Sequence, residues 1–540
     1  MVKSKYFYAA LVALSAQTAV AQEIYENAPL LQKDLNGTAR YVGMGGAVDA
    51  LGADISTINS NPAGIGLFRR SMASGSVGLV SQSGVNTFDN VGKKTRASFD
   101  QVGFVYAMRN NERSFINFAF NYHKSKNLGE LLNVADQFSK ETVNGSSQYI
   151  SSQNKSVYQK IENGVFKSNK DYTYSYVDDL YLESGVNLEK DNQGQDVYVA
   201  YPATDYLFNR HSSGYISNYD FSVSGNVNDR FYWGLTFGIK DVKYRKYSEY
   251  SENIIPNSEG LEKLGLQSER LLSGTGFDMT FGVIFRPVAT SPFRMGVSVT
   301  TPTWYDLTSS AQASLSFKMS PTGPYNSGSK TVTTDVYDFK FYTPWKFGLS
   351  LGHTVGNYLA LGASYEYADY SGSDIRENDG YDYYGYTTSS SDIDMKQNIQ
   401  EVLKGVSTLK LGLEYKPSAV WALRAGYNFI SPMYQKNGIK NMVKMDYVAS
   451  PGHVLTTSTD YTNWKATNRF TLGVGYNVGK VSLDLAYQYA VSKGDFNPFN
   501  TLTVGEVKPG DTATLSDNIA NIKSVDNKRH QVLFTLGYKL

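Results

Sequence analysis

With 540 residues, 51 Lys and Arg against 50 Asp and Glu, the chain carries a formal net charge of +1, which gives no argument for nucleic acid or another polyanion as partner. A hydrophobic content of 41% and a mean hydropathy of -0.36 are too polar for a helical membrane protein, yet 42 Tyr and 48 Gly suit a sheet in which only alternate residues meet lipid. No cysteine is present, so there is no disulfide framework, and sheet closure and lipid contact must supply the stability.

At the N-terminus Lys3 and Lys5 precede an apolar stretch from Tyr6 to Val20 that ends in Ala19-Val20-Ala21. A transmembrane helix needs roughly 20 apolar residues, and this stretch is shorter and interrupted by Ser15 and Gln17. Residues 1–21 therefore read as a cleaved secretory signal, with the mature chain starting at Gln22.

Residues 22–70 differ from the rest of the chain. Small residues dominate, including Gly43, Gly45 and Gly46, and the stretch reaches Asn61-Pro62-Ala63-Gly64 just ahead of the first strand. Such residues suit a compact insert: glycine permits turns that other residues resist, and Pro62 fixes φ and lacks an N–H. The other reading is an ordinary Gly-rich linker.

Segments of alternating hydrophobicity follow at 71–82, 98–109, 113–124, 214–227, 230–250, 270–287, 292–318, 333–355, 357–371, 404–416, 419–431, 466–478, 480–492 and 528–540, fourteen in all. In 231–239, Phe231, Trp233, Leu235, Phe237 and Ile239 point one way, and Tyr232, Gly234, Thr236 and Gly238 the other. Connections alternate short and long, with tight turns near Asn110-Asn111, Asn228-Asp229, Pro287–Ser291, Gly356-Asn357, Pro417-Ser418 and Gly479-Lys480. In the last segment Val532, Phe534, Leu536, Tyr538 and Leu540 share a face, as expected of a closing strand that pairs with the first. The expected fold is all-β: a transmembrane antiparallel β-barrel of about fourteen strands over residues 71–540, with long extracellular loops and both termini periplasmic.

The longest loop, 125–213, reads as an elaborated external loop in preference to an inserted domain. Within it Leu128, Leu131, Leu132, Ala135 and Phe138 recur at helical spacing, and 251–269 holds Ile254, Ile255, Leu261, Leu264 and Leu266. Both groups read either as apolar lids over the barrel mouth or as loop-to-loop packing, and Leu128, Leu131, Leu132 and Phe138 are ligand-contact candidates.

Strand parity turns Lys240, Asp278, Arg294, Lys346, Glu366, Lys410, Glu414, Arg424 and Asp484 inward. They either form ion pairs with one another or hold a ligand carboxylate, for which Lys410 and Arg424 are the candidates.

The Gly- and Ala-rich stretch, the Asp and the Asn-Pro-Ala-Gly ahead of the first strand resemble the FadL/TodX family of outer-membrane transporters for long-chain fatty acids and other hydrophobic compounds. The resemblance implies that residues 22–70 are a hatch, including Gly43, Gly45, Gly46, Asn61, Pro62, Ala63 and Gly64, plugging a 14-stranded barrel. It implies passive uptake of a hydrophobic molecule such as a fatty acid, with lateral exit at an inward kink of the third strand. Phe115–Tyr122 there contains no Gly or Pro to mark a kink, though a bulge leaves little trace in a single sequence. The localisation implied is the outer membrane of a Gram-negative bacterium, as a monomer in outer-membrane lipid. A rival reading is a non-transporting surface binder or secretion scaffold.

Enzymatic chemistry is not expected. Gly348-Leu349-Ser350-Leu351-Gly352 matches a nucleophile-elbow pattern but lies within an alternating strand. The Gly473, Gly475, Gly479 series is strand patterning as well. His123, His211, His353, His453 and His530 show no i, i+4 pair, so no metal or other cofactor is expected, and haem uptake is a minor alternative.

Overall fold

A computed structural model describes residues 24–88, 91–156, 175–190, 193–255, 260–321, 326–333, 336–385, 387–440, 455–501 and 517–540. The expected signal at 1–21 and His453 lie outside them.

Fourteen strands form the wall. They are β1 Met72–Ser83, β2 Thr95–Asn111, β3 Ser114–Asn127 with its continuation Glu130–Gln137, β4 Ala203–Val227, β5 Phe231–Ile254, and β6 Leu261–Phe285. Next come β7 Arg294–Thr300 and Trp304–Met319, β8 Tyr337–Tyr342 and Lys346–Val355, β9 Leu359–Asp369, and β10 Gly405–Tyr415. The last are β11 Trp421–Ile430, β12 Tyr461–Val478, β13 Val481–Asn497 and β14 Lys523–Lys539. Each pairs antiparallel with its neighbours, and β14 pairs with β1 from Met72↔Lys539 to Ser83↔Lys528, so the sheet is closed. Closure leaves no edge for another chain to extend.

The alternation is realised as two different surfaces. On β13 and β14, Leu485, Tyr487, Val532, Phe534, Leu536 and Tyr538 face outward, while Asp484, Gln488, Gln531 and Thr535 are buried inside. Val532–Leu540 is nine residues, which at ~3.4 Å each is close to the ~25 Å apolar band of a membrane barrel. Aromatic pairs flank that band: Trp421 with Tyr476 (4.8 Å between centroids) near the short turns, and Phe277 with Trp304 (6.1 Å) toward the other end. An antiparallel barrel with this exterior crosses a membrane.

Strands β4, β5 and β6 extend far past the apolar band. Two sequence expectations are corrected here. Residues 251–254 and 261–269 belong to β5 and β6, and Ile254, Leu261, Leu264 and Leu266 fill the core of the raised sheet. Glu130–Gln137 is a strand against β4, where helical spacing was read, and 203–213 of the expected loop are strand as well. Leu132 and Phe138 join the same core together with the helix Tyr176–Ser184. In Glu130–Gln137 the adjacent Leu131 and Leu132 are both buried, which breaks the two-residue alternation that identifies a strand.

Residues 24–68 run through the interior as short helical turns. Their backbone is held by inward side chains of many strands: Thr535 on Ala39 N (2.7 Å), Thr471 on Gly43 O (3.1 Å), Thr236 on Ile58 O (2.6 Å) and Ser224 on Pro62 O (2.8 Å). Gly45 has φ +62°, and a methyl group there would meet the Tyr427 backbone N at 2.8 Å. Only glycine satisfies both the left-handed turn and that approach.

Candidate functional site

The ladder between β2 and β3 stops short of the strand ends. β2 pairs with β3 from the turn at Asn111↔Ser114 only as far as Gln101↔His123, whereas on its other edge it pairs with β1 up to Ser81↔Thr95. Among the described residues, 95–99 of β2 thus have a ladder partner on one side alone, and Asp100 has none. Two irregularities produce this seam. Asp100 is an extra residue of β2 against β1, so that Asp100 and Gln101 both point inward, and β3 has a bulge at Ser125 against β4.

Beyond Ser125, β3 keeps its ladder with β4 but bends away from β2, and its backbone meets inward side chains of β1 and β14. Leu131 exchanges two hydrogen bonds with the inward side chain of Gln82 on β1, its N–H donating to Oε1 and its carbonyl accepting from Nε2, both at 2.8 Å. Asn527 donates to Glu130 (3.0 Å) and Arg529 to the Asn127 carbonyl (3.3 Å), both from β14. Phe115–Tyr122, where the resemblance implies a kink and no Gly or Pro marks one, is laddered to both neighbours; the bend at which β3 leaves β2, the kink, lies between Ser125 and Gly129.

The N-terminal segment fills the inner side of the seam. Asn36 donates from Nδ2 to Asp100 Oδ1 on β2 (2.9 Å) and to the Lys124 carbonyl on β3 (3.0 Å), and accepts from Gln531 (3.1 Å). Two residues earlier, the Asp34 N–H donates to the carbonyl of the bulge residue Ser125 (2.7 Å), and Asp34 Oδ2 accepts from Asn127 N (2.9 Å). Its carboxylate is surrounded by Lys126 (3.5 Å), Arg469 (3.7 Å) and Arg529 (3.7 Å). Burial alone would raise the Asp34 carboxyl, but Lys126, Arg529 and Arg469 with the Asn127 N–H outweigh it and hold it well below the usual carboxylate range.

A cavity of about 210 Å³ lies beside this point, lined on one side by Asp34, Asn36, Asp100, Lys126 and Arg529 and on the other by Tyr25, Leu128, Tyr434, Tyr461 and Trp464. A second cavity, of about 510 Å³, lies toward the short-turn end, where Thr38, Arg40, Phe68, Met72 and Lys539 border it. Asn36 lines the first and Thr38 the second, so one short stretch of the N-terminal segment borders both.

All nine charges assigned inward by parity do face the interior. Lys240 pairs with Asp278 (2.7 Å), and Arg294 and Lys346 donate to the Leu51 and Leu31 carbonyls (3.0 and 3.5 Å). Glu366 lines an inner pocket beside Lys346 and Lys410. Lys410 stands 3.7 Å from Asp49 of the N-terminal segment. Arg424 joins Glu414 (2.7 Å) and Asp484 (2.6 Å), and Arg40 reaches the same Glu414 (3.2 Å). Lys410 and Arg424 thus meet carboxylates of this chain.

Of the other candidates, Leu128 and Leu131 lie at the kink, and Leu128 lines the first cavity. Gly43 packs against Gly473, Gly46 against Leu35 and Tyr41, and Gly64 against Thr57. The Asn61 side chain accepts from Ala63 N (3.2 Å), capping the turn Pro62–Leu67, and Ala63 is fully buried. Gly348–Gly352 is straight strand in β8. His123 is 3.2 Å from Asp220, and His530 is bonded to Tyr487 (2.8 Å).

The geometry defines a class: a membrane β-barrel with an N-terminal segment filling its lumen and an interrupted wall. No family model and no curated protein matches the sequence. Among solved structures the chain is similar to a FadL homologue from Pseudomonas aeruginosa, at 13% identity and TM-score 0.47 over 94% of this chain and 99% of that one. It is similar to the Ralstonia pickettii toluene transporter TbuX at 14% identity and TM-score 0.46, and to the Pseudomonas putida toluene transporter TodX at 11% and 0.46, each over 94% of this chain and 99% of the other.

Proposed function

We propose that this chain is an outer-membrane protein for passive uptake of hydrophobic molecules, long-chain fatty acids or compounds like them, in a Gram-negative bacterium. In this reading residues 22–70 are the hatch, both termini are periplasmic, and the barrel acts as a monomer. The ligand enters from the side of the raised strands, rests in the cavity beside Tyr434, Tyr461 and Trp464, and leaves sideways.

The observation that carries the reading is the seam between β2 and β3, reached by that cavity and occupied from within by Asn36. A sideways route suits a molecule that prefers lipid to water, and the ion pairs between the N-terminal segment and the wall toward the short-turn end support it. The Lys410–Asp49 and Arg40–Glu414 pairs support a hatch role, since each ties the segment to the wall by charge across the lumen.

The test is uptake of radiolabelled oleate by cells with and without the chain, paired with extraction of lipid from the purified protein. Reduced uptake on deletion and a co-purifying amphiphile support transport. Unchanged uptake with no bound lipid would favour a surface scaffold.

A further inference from the structure

The Asp34 carboxylate sits in surroundings built for an anion. Three cations converge on it from three strands, Lys126 of β3, Arg469 of β12 and Arg529 of β14, and the N–H of Asn127, left over at the kink, donates to it as well. One negative charge facing three positive ones leaves the site cationic, and none of the three contacts is closer than 3.5 Å. Of the other carboxylates lining the cavity, Glu130 and Asp460 are engaged by Arg210, Glu26 by Lys246, Arg270 and Lys440, and Asp100 accepts from Asn36 and Ser98. The cradle opens into the aromatic cavity.

Resting on the transport reading above, we infer that Asp34 is an internal placeholder: the site formed by Lys126, Arg469, Arg529 and Asn127 N–H takes the carboxylate of an organic amphiphile in exchange for Asp34. The exchange swaps one carboxylate for another, so no buried cation loses its counter-ion and the barrier of leaving one unpaired is avoided. Asp34 also anchors the backbone that carries Asn36, two residues on, and Asn36 holds both edges of the seam. Release of Asp34 therefore loosens the clasp, which makes capture of an anionic head the trigger for lateral opening. A neutral amphiphile fills the cavity without releasing the clasp.

The test measures binding of two probes, dansyl-labelled undecanoate and its neutral counterpart dansyl-labelled undecanol, to the purified full chain in uncharged detergent. Asp34→Asn removes the internal competitor and is expected to tighten undecanoate by about tenfold while leaving undecanol unchanged, because the fraction of sites open to the anion rises. Arg469→Gln combined with Arg529→Gln is expected to weaken undecanoate alone. A second measurement keeps Asp34 in place: the chain has no native cysteine, so Gln32→Cys gives a single thiol beside the clasp. Its labelling rate is expected to rise with undecanoate and not with undecanol. Equal responses of the two probes, or undecanoate affinity unchanged by Asp34→Asn, would overturn the exchange while leaving transport standing. Failure of both probes to bind a folded barrel would overturn the exchange and the transport reading together.

Discussion

Asn36 and Asp100 meet at 2.9 Å across the point where the β2–β3 ladder stops, and the same Asn36 amide reaches the Lys124 carbonyl on the far side. One side chain thus spans a gap that backbone hydrogen bonds leave open. Asn36→Ala removes both bonds and the one accepted from Gln531, each worth about 0.5–1.5 kcal/mol net, and uncovers Asp100. The expected result is a seam that opens more often, read as faster uptake of a labelled hydrophobic probe, by roughly two- to tenfold, in cells with equal amounts of folded barrel.

The Arg424 guanidinium is the common partner of Glu414 and Asp484, all three buried. Arg424→Met leaves two carboxylates in the lumen with one arginine, Arg40, still near Glu414. Removing one partner of such a cluster costs on the order of 3–5 kcal/mol. The barrel is expected to lose resistance to urea and to heat, measured as the mobility shift between folded and unfolded forms in detergent gels.

Gly45 separates the N-terminal segment from β11 by the width of a backbone. Gly45→Val meets a left-handed φ and a collision with Tyr427 at once, and overpacking of this kind costs typically about 1–3 kcal/mol. The expected effect is a displaced segment and a permanently leaky barrel, detected as entry of large antibiotics that the native chain excludes.

The hold on Asp34 has a defined pH dependence. Its folded value is depressed by Lys126, Arg529 and Arg469, so the stabilisation is complete above the unfolded value near ~3.9 and is lost only as pH falls through the folded one. Binding of the undecanoate probe and labelling of Gln32→Cys are therefore expected to be flat between about pH 6 and 8, with changes confined to strong acid. A midpoint between pH 6 and 7 would place control on another group, such as a histidine.

Much of this architecture was legible because lipid imposes a two-residue period. Val532 to Leu540 announced the closing strand, and the same parity turned Lys410, Arg424 and seven other charges inward. The kink was not legible. Ser125 carries no mark of a bulge, and the stretch inspected, Phe115–Tyr122, ends three residues short of it. Leu128, Leu131 and Leu132 mimic helical spacing because the adjacent Leu131 and Leu132 are both buried, while Ala135, on the same spacing, is exposed. Asp34 and Asn36 were missed for another reason: they sit outside any periodic element, and their partners lie from 64 to 495 residues away in sequence. The one available signal was a pair of polar residues, Asp34 and Asn36, beside apolar Leu35 in a segment expected to be buried.

The most direct test of lateral passage is uptake of labelled oleate through a barrel whose seam has been straightened. Deleting Ser125 removes one of the two irregularities behind the seam, the bulge against β4, and is expected to draw β3 back toward β2. Uptake is expected to fall to the level of cells lacking the chain, while the purified variant still binds the probe in its cavity. Undiminished uptake by a folded Ser125-deleted barrel would contradict a route through the wall.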